Sequence, residues 1–300
     1  MVSAEQHIRP ATPARKLRTR LAQDGLTIVP GCFDALSAKL AAHAGYQVLF
    51  MSGFGVSAVR LGMPDTGLIS FAEMLDSLRN CCSAADGVPV IGDGDTGFGN
   101  ALNVRRTVIE YAHAGAGCVM IEDQVSPKRC GHTPGKQIIS RMEARLKIRA
   151  AVDARAEAGA DILIMARTDA RAVHGFEEAL TRCREFEAEG VDLIFFEAPE
   201  SKDEMVKLCS AIDTPCVANI VPGGKTPALS RSELQRIGYK IALYPVVLLS
   251  SAIPAIQAAL AALKEGDDFA YPPMVTLNDL QDVAGFPEYW RREVLYRTTD

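Results

Sequence analysis

The sequence of 300 residues predicts an α/β protein, a (β/α)8 TIM barrel followed by C-terminal helices. Short runs of β-branched and apolar residues alternate with segments of helical periodicity, which is the pattern of repeated βα units. The apolar runs end in polar or glycine residues, as strands of a buried parallel sheet do where they pass into loops. No linker or low-complexity segment interrupts the chain, so we expect a single domain over residues 1–300.

Eight apolar runs have the length of buried strands. We place them at Thr27–Gly31, Gln47–Ser52, Val88–Asp93, Cys118–Glu122, Ile162–Arg167, Leu193–Glu197, Cys216–Asn219 and Lys240–Tyr244. The amphipathic segments between them are long enough for the right-handed crossovers that join parallel strands. These segments include Asn103–Ala114, Arg141–Glu157, Phe176–Glu189, Lys202–Ile212 and Ser230–Ile237. Eight such units predict a closed barrel.

The two ends of the chain lie outside these units. The stretch before Thr27 is interpreted as a leading helix. Residues 251–300 are predicted to form a helical appendage, with a helix, a loop at Tyr271-Pro272-Pro273 and a last amphipathic helix around Tyr289 and Trp290. We expect this appendage to pack on the barrel or on a neighbouring subunit.

The composition is typical of a soluble globular protein, with 48% hydrophobic and 23% charged residues. We see no apolar run that approaches the roughly 20 residues of a membrane-spanning helix. The N-terminal stretch also lacks the continuous apolar core of a signal peptide. A net charge of -5 provides no basic surface for nucleic acid. These features predict a cytoplasmic protein without membrane or nucleic-acid partners.

The eight cysteines do not have the dense spacing of a secreted disulfide scaffold. The adjacent pair Cys81-Cys82 is neither a Cys-x-x-Cys redox motif nor part of a zinc-ligand cluster. Most of the cysteines are therefore interpreted as buried thiols. Cys130 differs from the others because it lies among charged residues and glycines.

Carboxylates follow two neighbouring predicted strands, at the barrel end where active sites form. Asp93 and Asp95 follow the third strand, and Glu122 ends the fourth. The Asp-Gly-Asp-Thr-Gly segment taken alone could be an ordinary turn. The matching carboxylates one strand later favour a metal site, and oxygen ligands without a nearby histidine favour Mg²⁺, with Mn²⁺ as a substitute. We predict that these three residues bind the metal directly or through water.

Other polar residues at strand ends predict the binding of an anionic substrate. Arg167 could be a salt-bridge partner of Asp169, but a guanidinium at the barrel mouth is well shaped to bind a carboxylate in bidentate fashion. We favour the substrate-binding interpretation. Glu197 and Asn219 end the sixth and seventh predicted strands and are expected at the same mouth.

The segment Gln124–Lys136 is too long for a tight βα turn and predicts a mobile lid. Lys128, Arg129 and His132 surround Cys130 in the sequence and would favour its thiolate form. Such a thiol can act as a base in one reaction direction and as an acid in the other. An inert thiol is the alternative, and the charged neighbours favour a catalytic role.

Lys128-Arg129-Cys130-Gly131-His132, which follows Ile121-Glu122-Asp123-Gln124, resembles the signature of the isocitrate lyase/phosphoenolpyruvate mutase superfamily. The resemblance extends from Thr27 to about Lys264. Its other matching segments are Ser52-Gly53, Pro64-Asp65, Asp93-Gly94-Asp95-Thr96-Gly97, Ala166-Arg167-Thr168-Asp169-Ala170, Glu197-Ala198-Pro199, Asn219 and Gly224-Lys225-Thr226-Pro227. It implies a barrel whose eighth helix is often exchanged between subunits, a homotetramer built as a dimer of dimers, and Mg²⁺ that holds an α-keto acid or its enolate.

The resemblance also implies roles for individual residues. Asp95 would be the principal metal ligand, with Asp93 and Glu122 binding directly or through water. Cys130, Arg167 and His132 would be catalytic, with Cys130 protonating the carbanion released by bond cleavage. The implied substrate-binding residues are Ser52, Gly53, Phe54, Asp65, Lys128, Gly131, His132, Arg167, Glu197, Asn219 and Thr226.

The cysteine-containing loop is similar to that of the lyases and differs from that of phosphonopyruvate mutases and hydrolases. Full isocitrate lyases are longer than this chain, so the resemblance is greatest to the 2,3-dimethylmalate lyase, 2-methylisocitrate lyase and petal death protein group. It implies cleavage of a small 2-hydroxy di- or tricarboxylate to an α-keto acid, pyruvate or glyoxylate, and a second carboxylate. Oxaloacetate hydrolysis or decarboxylation is the main alternative, and a phosphonopyruvate-type mutase or a non-catalytic binding barrel is weaker.

Two positions depart from the pattern of the smaller lyases. Pro222 stands where these enzymes commonly have glutamate, and Phe50 stands where several have tyrosine. Pro245 stands where oxaloacetate hydrolases tend to have serine. The first two departures leave the identity of the substrate open.

Overall fold

The computed structural model describes residues 11–131, 133–265 and 273–297. The chain divides into two compact units, Met1–Leu248 and Leu249–Asp300. The first unit contains a closed barrel of eight parallel strands in sequential order, with β1 paired to β8. The predicted (β/α)8 barrel is therefore confirmed, while the assignment of residues 1–300 to a single domain stays a prediction.

The strands lie where the apolar runs predict them, with small differences at their ends. They are β1 Thr27–Cys32, β2 Leu49–Met51, β3 Val90–Asp93, β4 Cys118–Glu122, β5 Leu163–Thr168, β6 Leu193–Phe196, β7 Cys216–Asn219 and β8 Ile241–Tyr244. The bounds of β4 and β7 are as predicted. The strand predicted at Gln47–Ser52 is shorter because Gln47 is exposed and the Ser52 hydroxyl caps the next helix by accepting a bond from the Gly55 N–H.

The first unit also contains helices between the strands. They are α1 Pro13–Ala22, α2 Ala35–His43, α3 Gly53–Val56, α4 Phe71–Ala84, α5 Ala101–His113, α6 Arg141–Glu157, α7 Arg171–His174, α8 Phe176–Ala188, α9 Lys202–Ala211 and α10 Arg231–Ile237. A π-helical segment, Ser57–Leu61, follows α3. Polar caps explain several of the starts, since Ser70 and Ser230 each form a reciprocal capping box with the glutamate three residues later. The predicted bounds of α6 are confirmed, and the other four predicted helices differ by one or two residues at their ends.

The hydrophobic core has two layers because side chains of each strand alternate between the barrel interior and the surrounding helices. The interior layer contains Val29, Phe50 and Met165 among other strand residues. Ala14 and Leu17 of α1 are fully buried in the same layer. The predicted leading helix thus contributes core residues to the barrel interior.

The second unit contains more helix than the sequence analysis predicts. Its described elements are α12 Leu277–Ala284 and α13 Phe286–Leu295, and α11 Val247–Glu265 runs into it from the end of the barrel. Helix α12 was missed, and of the predicted Tyr271-Pro272-Pro273 loop only Pro273 lies within the described residues.

The expectation that no segment has the length of a membrane span needs correction. In α11, Val247–Lys264 is 18 residues long and apolar enough to cross a membrane by length and composition. This property alone is weak evidence for a membrane span, because core helices of soluble proteins share it. Its apolar side chains Ile253, Ile256, Leu260 and Leu263 are exposed in the single chain.

Truncating Leu17 should destabilise the fold, because this side chain is fully buried in the barrel core. We expect Leu17→Ala to lower the free energy of unfolding by about 2–5 kcal/mol in urea denaturation. The matched control is Leu102→Ala in α5, whose side chain is 73% exposed, and its effect should be within about 0.5 kcal/mol. Equal effects of the two substitutions would contradict this placement of α1.

Candidate active site

The carboxyl ends of β3 and β4 bring the predicted metal ligands to one buried region. Asp93, Asp95 and Glu122 are only 6%, 4% and 2% exposed. Backbone hydrogen bonds fix the two strand ends against each other, because the Gly94 N–H donates to the Met120 carbonyl and the Glu122 N–H donates to the Asp95 carbonyl, both at 2.9 Å. The carboxylates therefore meet on a rigid frame rather than on an exposed loop.

Burial makes the charged forms of these carboxylates costly. It raises the pKa of Asp95 to about 6, where the Lys128 ammonium opposes the shift and the Asp93 and Asp65 carboxylates add to it. Burial also raises the pKa of Glu122 well above its usual value, against the opposing effect of the Arg167 guanidinium. Carboxylates buried in this way need a positive charge nearby to remain ionised.

Lys128 supplies one such positive charge. Its side chain is 5% exposed, and its Nζ lies 2.6 Å from Asp65 Oδ1 and 2.9 Å from Asp95 Oδ1. Burial acts to lower the pKa of Lys128, but the surrounding carboxylates, Asp95 first among them, raise it well above its usual value. The lysine that the sequence analysis assigns to the loop thus reaches down into the carboxylate cluster.

The three predicted ligands do not by themselves form a ready metal cage. No group of three His, Cys, Asp or Glu side chains in the part of the chain that the structure describes has metal-binding geometry. Asp93 already accepts bonds from the Gly53 and Asp95 N–H groups, both at 3.1 Å, and Glu122 Oε2 lies 3.3 Å from Arg167 Nε. Glu122 Oε1 is buried and has no hydrogen-bond partner among the described residues. This donor set fits a hard cation that keeps several water ligands, as Mg²⁺ does.

Arg167 lies at the end of β5 and faces several carboxylates. Its guanidinium donates to Asp169 at 2.9 and 3.1 Å, and its Nη2 lies 3.4 Å from Glu197 Oε2. The salt bridge with Asp169, which was the plainer interpretation of this arginine, is therefore present. Asn219 Nδ2 lies 3.3 Å from both Glu197 oxygens, so the ends of β5, β6 and β7 share one polar cluster.

The loop 124–136 lies over this cluster. The Cys130 N–H donates to the Asp65 carbonyl at 3.1 Å, and the Cys130 side chain is half-buried. Gly131 is in such close contact that a Cβ there would lie 2.5 Å from Arg167 Nη2 and 2.8 Å from Glu197 Cδ. A larger residue here would have to displace the ends of the Arg167 and Glu197 side chains, so glycine lets the cysteine-bearing backbone lie against the arginine. The predicted residue His132 lies outside the described residues.

The remaining predicted substrate-binding residues have different surroundings. Ser52 is buried at the start of α3, and a Cβ at Gly53 would lie 2.6 Å from Asp93 Oδ2, so both border the carboxylates. Thr226 is buried, and its hydroxyl has no hydrogen-bond partner among the described residues. Phe54 differs from the others because its side chain is 40% exposed.

Two buried lysines beside the site were missed by the sequence analysis. Lys136 Nζ lies 2.7 Å from Asp169 Oδ1. Lys147 of α6 donates to the Thr96 carbonyl at 3.1 Å, and burial lowers its pKa. Lysines at a loop end and on a helix are usually exposed, so only the three-dimensional structure shows that both face inward.

Residues 17–264 match the family model of phosphoenolpyruvate phosphomutase. The chain is 42% identical to 2,3-dimethylmalate lyase of Eubacterium barkeri, over 95% of this chain and 98% of that protein. It is 38% identical to 2-methylisocitrate lyase of Aeropyrum pernix, over 94% of this chain and 90% of the other. The structure of oxaloacetate acetylhydrolase in complex with 3,3-difluorooxalacetate superposes with a TM-score of 0.90 at 34% identity, covering 94% of this chain and 96% of that one.

The agreement extends across nearly the whole length of each relative and includes the barrel and the strand ends that form the site. The resemblance found in the motifs is therefore confirmed. The chain belongs to the phosphoenolpyruvate phosphomutase family and is an enzyme of the isocitrate lyase/phosphoenolpyruvate mutase superfamily, grouped by its named relatives with the lyases.

Proposed function

We propose that the enzyme is a Mg²⁺-dependent carbon–carbon lyase for a small 2-hydroxy di- or tricarboxylate of the 2,3-dimethylmalate or 2-methylisocitrate type. The products are an α-keto acid, pyruvate or glyoxylate, and a second carboxylate. One observation carries this proposal: a buried group of carboxylates lies beside Arg167 and beneath a loop that carries Cys130. The similarity to 2,3-dimethylmalate lyase over almost the full length supports the substrate class.

The metal would bind at the ends of β3 and β4. Asp95 is the proposed direct ligand, with Asp93 and Glu122 binding directly or through water, and Mn²⁺ can replace Mg²⁺. Bound there, the cation supplies a Lewis acid that polarises the substrate oxygens. Lys128 pairs with both Asp95 and Asp65, so Asp65 remains as its partner when Asp95 is engaged.

The protein side chains hold the substrate and move the proton. Arg167 binds a substrate carboxylate, and its fixed charge stabilises negative charge that grows as the bond breaks. A base removes the proton of the substrate alcohol, and as the adjacent carbon–carbon bond breaks, the alcohol carbon becomes the keto carbon of the α-keto acid. The electron pair of the broken bond stays on the departing carboxylate fragment. The Cys130 Sγ–H then gives its proton to that carbon, and His132 assists at the outer carboxylate.

The other proposed binding residues surround the same pocket. Ser52, Gly53 and Asp65 border the α-keto acid portion, and Glu197 and Asn219 lie beside Arg167. Gly131 and Lys128 approach from the loop above. We also propose that Phe54 and Thr226 bind the substrate.

The assembly and location are proposed on separate grounds. An exposed apolar face on α11, with Ile253, Ile256, Leu260 and Leu263, would be covered in a homotetramer in which subunits exchange this helix. A net charge of -5 supports the absence of a nucleic-acid partner. We also propose a cytoplasmic location. We propose that the same apolar face serves subunit contact and does not bind a membrane.

Oxaloacetate hydrolysis is the second candidate function. Oxaloacetate acetylhydrolase superposes with a TM-score of 0.90, close to the 0.91 of 2,3-dimethylmalate lyase, and both reactions can use the same arrangement of metal, arginine and carboxylates. Pro245 weighs against it, since oxaloacetate hydrolases tend to have serine at this position.

A substrate comparison separates the two candidates. With Mg²⁺, we expect the purified enzyme to release pyruvate or glyoxylate from 2,3-dimethylmalate or 2-methylisocitrate, measured with a coupled dehydrogenase assay. We expect kcat/KM for oxaloacetate to be at least about tenfold lower, a difference in transition-state binding of about 1.4 kcal/mol. Faster release of oxalate from oxaloacetate than of any keto acid from the two hydroxy acids would favour the hydrolase.

Replacing Cys130 tests the proposed proton donor. We expect Cys130→Ser to lower kcat by about 10²–10⁴-fold, since a hydroxyl is a much weaker acid than a thiol. Metal binding measured by calorimetry should stay unchanged. The matched control is Cys82→Ser in α4, which removes another half-buried thiol and should keep kcat within about twofold. Near-normal turnover of Cys130→Ser would reject the assignment.

A further inference from the structure

Lys136 is a buried cation at the end of the loop 124–136. Its side chain is 2% exposed, and its Nζ donates to the Gly131 carbonyl at 2.5 Å and to Asp169 Oδ1 at 2.7 Å. A lysine is rarely buried unless it is paired, because removing the ammonium from water costs several kcal/mol. Both of its partners border the candidate active site, one on the loop and one on the barrel.

Asp169 is held rigidly and is shared by two cations. Its carboxylate is fully buried and accepts bonds from Arg167 and Lys136. Its backbone N–H donates to Asp123 Oδ1 at 2.9 Å, and Arg182 binds Asp123 Oδ2 at 3.0 Å. Burial acts to raise the pKa of Asp169, but Arg167 and Lys136 hold it below its usual range. The carboxylate is therefore a fixed negative charge between the two cations.

The charge on Lys136 changes how strongly Arg167 can attract an anion. Without Lys136, Asp169 would be neutralised by Arg167 alone, while Glu122 and Glu197 lie 3.3 and 3.4 Å from the same guanidinium. With Lys136 in place, the Asp169 carboxylate interacts with two cations. It therefore neutralises less of the positive charge of Arg167. Lys136 thus favours the binding of a negatively charged group beside Arg167.

The second bond of Lys136 fixes the loop. Gly131 follows Cys130 and lies so near Arg167 that a Cβ there would be 2.5 Å from Arg167 Nη2. By holding the Gly131 carbonyl, Lys136 sets the distance between the cysteine-bearing backbone and the guanidinium. The Lys136 ammonium therefore affects both the position of the Cys130 thiol and the net charge beside Arg167.

We infer that Lys136 is a positioning residue that bridges the Gly131 carbonyl and Asp169, keeping Cys130 over the site and leaving Arg167 available to a substrate carboxylate. The inference about catalysis rests on the proposed function. The inference about loop position does not, because it can be measured without turnover.

The loop arm of the test is the alkylation of Cys130 by iodoacetamide, followed by peptide mass mapping of the full-length enzyme. Loss of a charge-assisted hydrogen bond predicts that Lys136→Met is alkylated at least about tenfold faster than the wild type. The matched control is Gln137→Met, the exposed residue directly after the loop, which should keep the wild-type rate. Lys136→Arg, which retains the charge, should restore most of the protection.

The kinetic arm uses the hydroxy acid that shows the highest turnover. We expect Lys136→Met to raise KM by about tenfold and to lower kcat, since both carboxylate binding and thiol placement are affected. Lys136→Gln keeps a donor for Gly131 without the charge, so it should raise KM while changing kcat less.

The alkylation and kinetic measurements distinguish failure of the Lys136 inference from failure of the proposed function. A folded Lys136→Met protein with wild-type alkylation of Cys130 would overturn the positioning role, whatever its kinetics. If the wild type turns over none of the hydroxy acids, the proposed function fails while the alkylation result still decides the inference. If Lys136→Met does not fold, Lys136→Ser takes its place, because a serine hydroxyl is too short to reach the Gly131 carbonyl. Faster alkylation of Lys136→Ser than of Lys136→Arg then supports the inference, and equal rates overturn it.

Discussion

The burial of several carboxylates at one end of the barrel is the constraint on which the rest of the site depends. Asp93, Asp95 and Glu122 end neighbouring strands whose backbones are tied together, so they cannot separate to relieve their repulsion. Ionised carboxylates in such a place must be balanced by cations or become protonated. The raised pKa values of Asp95 and Glu122 reflect the free-energy cost of burying their charged forms.

Lysine and arginine side chains surround these carboxylates, and their ion pairs connect the loop 124–136 to the barrel. Arg167 belongs to β5, whereas Lys128 and Lys136 both come from the loop 124–136 and reach Asp65, Asp95 and Asp169. The negative charge of the barrel therefore attracts the loop that carries Cys130. Electrostatic balance and the position of the reactive thiol are two results of the same contacts.

Much of the barrel could be predicted from the sequence, because the periodicity of hydrophobic residues and the polar residues at strand ends are local signals. The bounds of β4, β7 and α6 agree with the prediction, and the strand-end carboxylates do meet. Strand β2 is shorter than predicted because Ser52 caps a helix, a contact that an apolar run cannot show. Helix α12 was missed because it has only 8 residues and the sequence analysis did not separate it from the Pro-rich loop before it.

The side-chain network was harder to predict, because it depends on contacts between residues distant in the chain. The salt bridge of Arg167 with Asp169 could be anticipated as a local pair, two residues apart. The approach of Lys136 to the same aspartate, 33 residues away, could not. Loop direction decides which lysines face inward, and loop direction is not encoded in a repeating pattern.

We propose that these carboxylates hold a divalent cation at Asp95. Electron paramagnetic resonance of added Mn²⁺ measures this directly, since bound ions lose the signal of the free ion. We predict one Mn²⁺ site per chain that Mg²⁺ displaces, with binding at least about tenfold weaker in Asp95→Asn and unchanged in the exposed control Asp153→Asn. Equal Mn²⁺ binding by the wild type and Asp95→Asn would show that Asp95 is not a metal ligand.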